Sequence, residues 1–109
     1  MRRAAVIALL VLASASGLAG APAAAKPRTH TVTIEGMTFS PRVVTADRGD
    51  TIVWVNKDLV PHSATTSAAG FDSRSIAAGQ SWRYVVRQRG EMPYICTFHP
   101  TMTGVVRVP

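Results

Sequence analysis

Apolar residues alternate with polar ones through much of this chain, and that period of two is what most restricts its fold. The alternation first appears at Val32 and Ile34. It returns in three later runs, 82–86, 92–96 and 103–108, and the run 51–55, apolar from Ile52 to Val55, is the most strand-like stretch of the chain. Residues spaced in this way lie on one face of an extended strand. Since no segment of 10 or more residues carries a helical period, the sequence predicts an all-β domain, either a sandwich or a small barrel.

Turn-forming residues separate the predicted strands. Ser40-Pro41 precedes a short extended run at 43–45. Two weakly patterned stretches, 63–66 and 74–76, are predicted as short strands. Gln88-Arg89-Gly90 has the composition of a hairpin turn, so we expect it to join the strands on either side of it.

The first 25 residues have the composition of a secretory signal peptide. Arg2 and Arg3 precede an apolar run over 4–13, which Ser, Gly and Pro then interrupt. That run is too short to cross a bilayer core of roughly 30 Å, and Ala23-Ala24-Ala25 fits the small-x-small cleavage rule. We therefore assign residues 1–25 to a signal peptide and 26–109 to a periplasmic or otherwise exported domain, without stable membrane insertion. An uncleaved anchor is the alternative.

Positive charge is spread thinly along the exported part. Residues 26–109 contain ten basic and six acidic side chains, and the basic ones are closely spaced only at Lys26/Arg28 and at Arg87/Arg89. A cationic protein favours acidic partners. Nucleic-acid binding is not expected, because the chain has neither a basic stripe nor an aromatic ladder. Nothing in the sequence demands an oligomer, so a monomer is predicted.

Cys96 is the single cysteine of the chain, which excludes an intramolecular disulfide. Small exported domains usually need disulfides or a bound metal to supplement a small core. A lone thiol in an oxidising compartment forms an intermolecular bridge, remains a chemical liability or binds a metal. The residues near Cys96 decide among these.

Metal-binding residue types surround Cys96. His99 and Met102 follow it between the last two predicted strands, and His62 follows the strand at 51–55. Structural zinc sites prefer closed sets of Cys and His, whereas a thioether suits copper. Two His and one Cys in a plane, with a weak distant Met, is the ligand set of a blue-copper electron-transfer centre. The sequence therefore predicts a redox copper site.

Each of these residues also has a purely structural interpretation when taken alone. Cys96, for instance, would pack as a small buried hydrophobe. The combination favours metal binding. His30 lies outside the combination and is interpreted as a surface residue, while Met37 and Met92 are interpreted as packing residues because neither lies in the Cys–His segment.

The sequence resembles the cupredoxins of the plastocyanin, amicyanin and pseudoazurin group, and the amicyanins most of all. The resemblance spans nearly all of residues 26–109. It rests on four segments, Phe39-Ser-Pro41, Gly49–Asn56, Pro61-His62 and Tyr94–Met102. It implies a Greek-key β-sandwich and one type 1 copper ion. Its implied ligands are His62, Cys96, His99 and Met102.

Two further roles are predicted around these ligands. Family members often carry Asn directly after the first His ligand, where it ties the two ligand loops together. Ser63 occupies that position here, and we expect it to hydrogen-bond toward Thr97. Phe98 and Pro100 flank His99, which predicts an apolar rim around a partly exposed imidazole, the natural electron port. Inward packing of Phe98 is the alternative.

The predicted function is that of a one-electron carrier rather than an enzyme, with redox proteins as transient partners. The amicyanin resemblance implies an amine dehydrogenase as donor and a c-type cytochrome as acceptor. Copper delivery or storage without redox turnover is the main alternative, although the Met cluster common in such proteins is missing. A copper oxidase or nitrite reductase needs further copper sites, and His30 is the only histidine left to build one.

Overall fold

A computed structural model describes residues 26–68 and 70–109, together with positions 4, 5, 8, 10–14 and 17. These residues form eight strands and no helix, and so none of them forms a helix able to cross a membrane. Most of the predicted signal peptide lies outside the described residues, so its cleavage remains a prediction.

The strands form two sheets of four. Their bounds are β1 Thr29–Glu35, β2 Thr38–Ser40, β3 Val43–Thr45, β4 Thr51–Asn56, β5 Thr65–Thr66, β6 Ser81–Val85, β7 Gly90–Cys96 and β8 His99–Val108. One sheet has the order β2-β1-β4-β6 and the other β3-β8-β7-β5. The pairs β1–β4 and β3–β8 are parallel, and the remaining pairs are antiparallel. The Greek-key β-sandwich expected from the sequence is confirmed.

Alternate residues of the longer strands fill the space between the sheets. The buried positions are Val32 and Ile34 on β1, Ile52 and Trp54 on β4, Met92, Tyr94 and Cys96 on β7, and Val106 and Val108 on β8. The Trp54 indole lies at their centre, with ring centroids 5.1 Å from Phe71 and 5.5 Å from Tyr94. Burial of each large apolar side chain contributes about 1.5–3 kcal/mol, so this core fixes the register of the strands.

The prediction of a hairpin at Gln88-Arg89-Gly90 is wrong. The strands on either side, β6 and β7, belong to different sheets. The Val86 N–H donates to the Asp50 carbonyl at 2.8 Å, and the Gly49 N–H donates to the Val86 carbonyl at 2.8 Å. Val86 is thereby held beside the start of β4, and the chain crosses to the second sheet instead of turning back. Turn-forming residues indicate that the chain changes direction, but they do not indicate which strands pair.

Two other elements differ from the prediction. The run 74–76 forms no strand, and Ile76 makes only an isolated bridge with His62. Thr38–Ser40 forms a strand, β2, that was not predicted. It pairs with β1 and buries only Phe39. Three residues are too few to display a period, which is why the sequence pattern missed it.

The topology brings the predicted ligands to one end of the sandwich. β4 ends at Asn56, six residues before His62, and β7 ends at Cys96. Antiparallel pairing of β7 with β8 sets His99 opposite Cys96. The Ser63 N–H donates to the Cys96 sulfur at 3.3 Å and so joins the segment after β4 to the end of β7.

Candidate metal centre

Asn56 holds the loop that leads to His62. It is fully buried at the end of β4. Its side-chain amide donates to the carbonyls of Val60 at 2.9 Å and Ile76 at 3.0 Å, and its side-chain oxygen accepts from the Asp58 N–H at 3.0 Å. One buried amide thus satisfies three backbone groups, so the loop has little freedom.

His62 is itself fixed at both its backbone and its ring. Its N–H donates to the Ile76 carbonyl at 3.1 Å, and its carbonyl accepts from the Ile76 N–H at 2.7 Å. The side chain is fully buried, and the Nε2 atom lies 2.8 Å from Asp58 Oδ2. A buried imidazole held in this way presents its other nitrogen in one direction only.

Asp58 was not predicted as part of the site, and it orients the imidazole. Its carboxylate also accepts from the N–H groups of Gly36 at 2.7 Å and Met37 at 3.0 Å, in the turn between β1 and β2. The Met37 N–H foremost, then Gly36 and the His62 ring, hold the pKa of Asp58 below its usual value. In the sequence, Asn56-Lys57-Asp58 has only the composition of a turn after the strand at 51–55, and the spacing of four to His62 was the available signal.

The contact with Asp58 fixes which ring nitrogen of His62 faces Cys96. An ionised carboxylate can only accept a hydrogen bond, so Nε2 is the nitrogen that donates to Asp58. Nδ1 lies 3.6 Å from the Cys96 sulfur, and both side chains are fully buried. An imidazole nitrogen and a cysteine sulfur therefore face each other in a place closed to water.

A hydroxyl network supports the same pair from the other side. The Thr97 N–H donates to Ser63 Oγ at 2.9 Å, and the two side-chain oxygens are 2.9 Å apart. Ser63 Oγ also lies 3.1 Å from Thr65 Oγ1. The link expected between Ser63 and Thr97 is present as a contact, and it connects the residues that directly follow His62 and Cys96.

His99 reaches the site from the start of β8. The sheet register shifts between Ile95 and Cys96, and such bulges redirect a side chain at the end of a strand. The His99 ring is half-buried, and its centroid lies 5.3 Å from that of His62 at an interplanar angle of 61°. Its partly exposed edge connects the buried pair to the surface.

Exposed apolar side chains lie in the two segments that carry His62 and His99. Leu59 is 95% exposed, Phe98 51% and Val60 43%, and Pro100 is exposed as well. We call Leu59, Val60, Phe98 and Pro100 the apolar rim. Phe98 thus points outward, which contradicts the alternative in which it packs into the core.

Met102 lies on β8, three residues beyond His99, and is buried. The segment from His99 to Met102, expected as a loop, is the first part of that strand. Among residues 26–68 and 70–109, no three His, Cys, Asp or Glu side chains are arranged as a ready metal site. The close contact is His62–Cys96, while Met102 is brought to the same end of the sandwich by its place on β8.

The donor atoms nevertheless fit copper. A thiol facing an imidazole nitrogen provides one soft and one borderline ligand in a dry environment, and a thioether follows in the adjoining strand. His30, the remaining histidine, lies at the other end of β1 and contacts Asp50 at 2.8 Å. It takes no part in this site.

The chain belongs to the cupredoxin-like domain family, whose sequence profile matches residues 3–108. A single type 1 copper ion is the cofactor that this membership assigns. The fold and the position of the His62–Cys96 pair at one end of the sandwich agree with it.

Individual relatives point to the same branch of the family. The chain is 30% identical over 82 residues to amicyanin from Paracoccus versutus, an alignment that covers 71% of this chain and 62% of that protein. An oxidised amicyanin variant superposes with a TM-score of 0.70 at 26% identity, covering 74% of this chain and 82% of the other.

One structural neighbour is part of a larger protein. A copper-containing nitrite reductase from Thermus scotoductus superposes with a TM-score of 0.70 at 28% identity. The match covers 78% of this chain but only 23% of that enzyme. The likeness is therefore confined to less than a quarter of the length of that enzyme.

Proposed function

We propose that this chain is an exported, periplasmic one-electron carrier that binds one type 1 copper ion through His62, Cys96, His99 and Met102. The observation that carries the proposal is the fully buried contact between His62 Nδ1 and the Cys96 sulfur. When bound, copper supplies the one-electron Cu(II)/Cu(I) couple. The chain itself holds the ligands and excludes water.

Rigid support of the ligands favours electron transfer. Asn56, Asp58 and Ser63 hold the two ligand segments through hydrogen bonds of 2.7–3.3 Å. Because the ligands cannot move far, little rearrangement accompanies a change of oxidation state. Small rearrangement lowers the barrier to gaining or losing an electron. No side chain of the site has to act as a general base or nucleophile, so we propose a carrier and not an enzyme.

The apolar rim supports an electron port at His99. Apolar patches at the centre of a contact, surrounded by polar residues, are typical of protein docking sites. Redox encounters use small interfaces that separate quickly. The similarity to amicyanin supports an amine dehydrogenase as donor and a c-type cytochrome as acceptor, in transient complexes with a monomer.

Copper delivery or storage remains the second candidate, because a chain can bind copper without turning it over. The burial of His62 and Cys96 argues for retention, since a delivery site has to give its metal up. A copper-loaded sample, reduced with ascorbate and mixed with a moderate Cu(I) chelator, separates the two functions. We expect the carrier to keep its copper and to give one reversible one-electron wave in voltammetry. Rapid transfer of copper to the chelator without a reversible wave would favour delivery.

A further inference from the structure

The fold collects basic residues that the sequence scatters. β1, β4 and β7 begin at the end of the sandwich opposite the metal centre, and β6 and β8 end there. We call this the basic end. It carries Lys26, Arg28, Arg48, Arg87, Arg89 and Arg107. Against these six basic side chains stand three acidic ones, a net +3, whereas the rest of residues 26–109 has four basic and three acidic side chains, a net +1.

The acids at this end are mostly engaged. Asp50 accepts from the N–H groups of Arg28 and Asp47 and contacts His30, and Glu91 pairs with Arg107 at 2.7 Å. Arg28, Arg48, Arg87 and Arg89 are exposed. Within the described part of the chain they form no ion pair. Four guanidinium groups are thus free to meet an anionic surface.

The four arginines come from neighbouring segments. Arg28 precedes β1, and the Thr51 N–H donates to its carbonyl at 2.9 Å. Arg48 lies in the turn before β4. The Gly49 N–H of the same turn donates to the Val86 carbonyl at 2.8 Å. Arg87 and Arg89 lie in the crossing from β6 to β7. They are contributed by three separate segments at this end of the sandwich, an arrangement suited to a diffuse anionic surface.

Protein docking is less consistent with the composition of this end. Protein interfaces are built around apolar and aromatic side chains. Of the exposed large apolar residues within 26–68 and 70–109, only Val85 lies at the basic end. Adsorption to charged lipid head groups needs no apolar centre.

The entry of the chain favours a membrane as the occupant. β1 begins at Thr29, so the chain enters the fold at the basic end. A membrane-inserted leader at residues 1–25, as the sequence predicts, would hold Arg28 close to the lipid head groups until it is cleaved.

We propose that the basic end binds anionic phospholipid head groups and holds the domain with its metal-binding end directed away from the bilayer. The inference does not depend on copper, because none of the residues involved belongs to the metal centre. Its consequence is that the apolar rim faces other proteins while the domain stays close to the membrane.

Vesicle flotation tests the proposal with residues 26–109, which contain all eight strands and every pairing between them. Vesicles of phosphatidylcholine alone are compared with vesicles containing roughly one third phosphatidylglycerol, at about 0.05 M and 0.5 M NaCl. Each Lys or Arg near an anionic surface strengthens binding about fivefold. We expect binding only to the anionic vesicles at low salt, and at least a roughly twentyfold loss for Arg87→Glu/Arg89→Glu.

The matched control is Lys57→Glu/Arg74→Glu, which makes the same change in net charge at the other end. We expect it to weaken binding less than about threefold. Equal losses for both double variants would overturn the proposal, because net charge alone would then explain binding. Binding to soluble polyglutamate without binding to anionic vesicles would also overturn it, in favour of an acidic protein.

Discussion

At the scale of single residues, the candidate site depends on two side chains that are not ligands. Asp58 orients the His62 ring by accepting a hydrogen bond from Nε2. Ser63, the residue after His62, is hydrogen-bonded to Thr97, the residue after Cys96. Groups that orient metal ligands commonly affect metal binding by 10–100-fold, roughly. Each can be removed without altering a ligand.

Asp58→Asn is expected to weaken copper binding about tenfold or more. The amide oxygen is an uncharged acceptor, and the amide nitrogen, which cannot accept, takes the place of one of the two oxygens that bind the His62 ring and the N–H groups of Gly36 and Met37. Competition titration with a chelator measures the affinity. Asp47→Asn makes the same change in charge in an exposed turn and should leave the copper affinity unchanged. Equal copper affinities for the two variants would contradict the role of Asp58.

Ser63→Ala is expected to shift the reduction potential and to lower copper retention about tenfold. The change removes the link between Ser63 and Thr97 while leaving the Ser63 N–H bond to the Cys96 sulfur. Thr65→Ala removes the contact with the Ser63 hydroxyl and a hydrogen bond to Asp72, but it leaves the Ser63–Thr97 link in place and serves as the control. Unchanged potential and copper retention in Ser63→Ala would rule out the proposed link.

Sequence reasoning reached the four proposed ligands because rare residue types stand out at short spacings. It also named Ser63 and Thr97, by analogy with the family. It missed Asp58, because an Asp in a turn is common and its function depends on the turn at Gly36 and Met37, which is distant in sequence. Contacts of this kind appear only once the strands are paired.

At the scale of elements, Asp50 fastens the starts of β1 and β4. Its carboxylate accepts from the backbone of Arg28 at 2.9 Å and of Asp47 at 3.0 Å and contacts His30 at 2.8 Å. The Arg28 N–H foremost, then His30 and Asp47, lower the pKa of Asp50 from 3.8 to about 2. The charged form is therefore favoured in the folded chain.

This contact predicts a defined pH dependence of stability. Because the folded pKa is depressed, the contribution of Asp50 is complete above 3.8 and is lost as the pH falls toward 2. Urea unfolding at neutral pH and across this window measures it. Asp50→Asn should be less stable than wild type at neutral pH, and the difference should shrink as the pH falls through the window. A constant difference would contradict this account.

The elements themselves were predicted better than their pairing. Long strands such as β7 and β8 can be recognised by alternation, since each must bury one face. The crossing between β6 and β7 could not be predicted in this way, because the hydrogen bonds of Val86 to Gly49 and Asp50 join segments far apart in the sequence. Local patterns specify strands, and contacts across the sheets specify topology.

At the scale of the whole molecule, the two ends of the sandwich differ in kind. One carries the candidate metal centre and the apolar rim, and the other carries the unpaired arginines. The sequence could not predict this division, because its basic residues are dispersed along the chain and gathered only by the fold. Such a division would let the basic end bind a membrane while the end with the metal centre stays accessible to redox partners.

The apolar rim predicts that electron transfer to a c-type cytochrome depends on Val60. Val60→Lys is expected to slow the bimolecular rate about tenfold, because a charge enters the centre of the contact, while the reduction potential stays the same. Val85→Lys is a close control, since Val85 is 42% exposed against 43% for Val60 and lies at the opposite end. Stopped-flow mixing measures both rates, and equal slowing would contradict docking at the rim.

A visible absorption spectrum shows whether a copper ion is bound to the Cys96 sulfur. Residues 26–109 and their Cys96→Ser variant are each given cupric ion and recorded before and after ascorbate. We expect an intense band toward the red end of the visible spectrum for the wild type, bleached by reduction and restored by oxidation, and no such band for Cys96→Ser. Bound copper that leaves the wild-type protein pale would contradict this expectation.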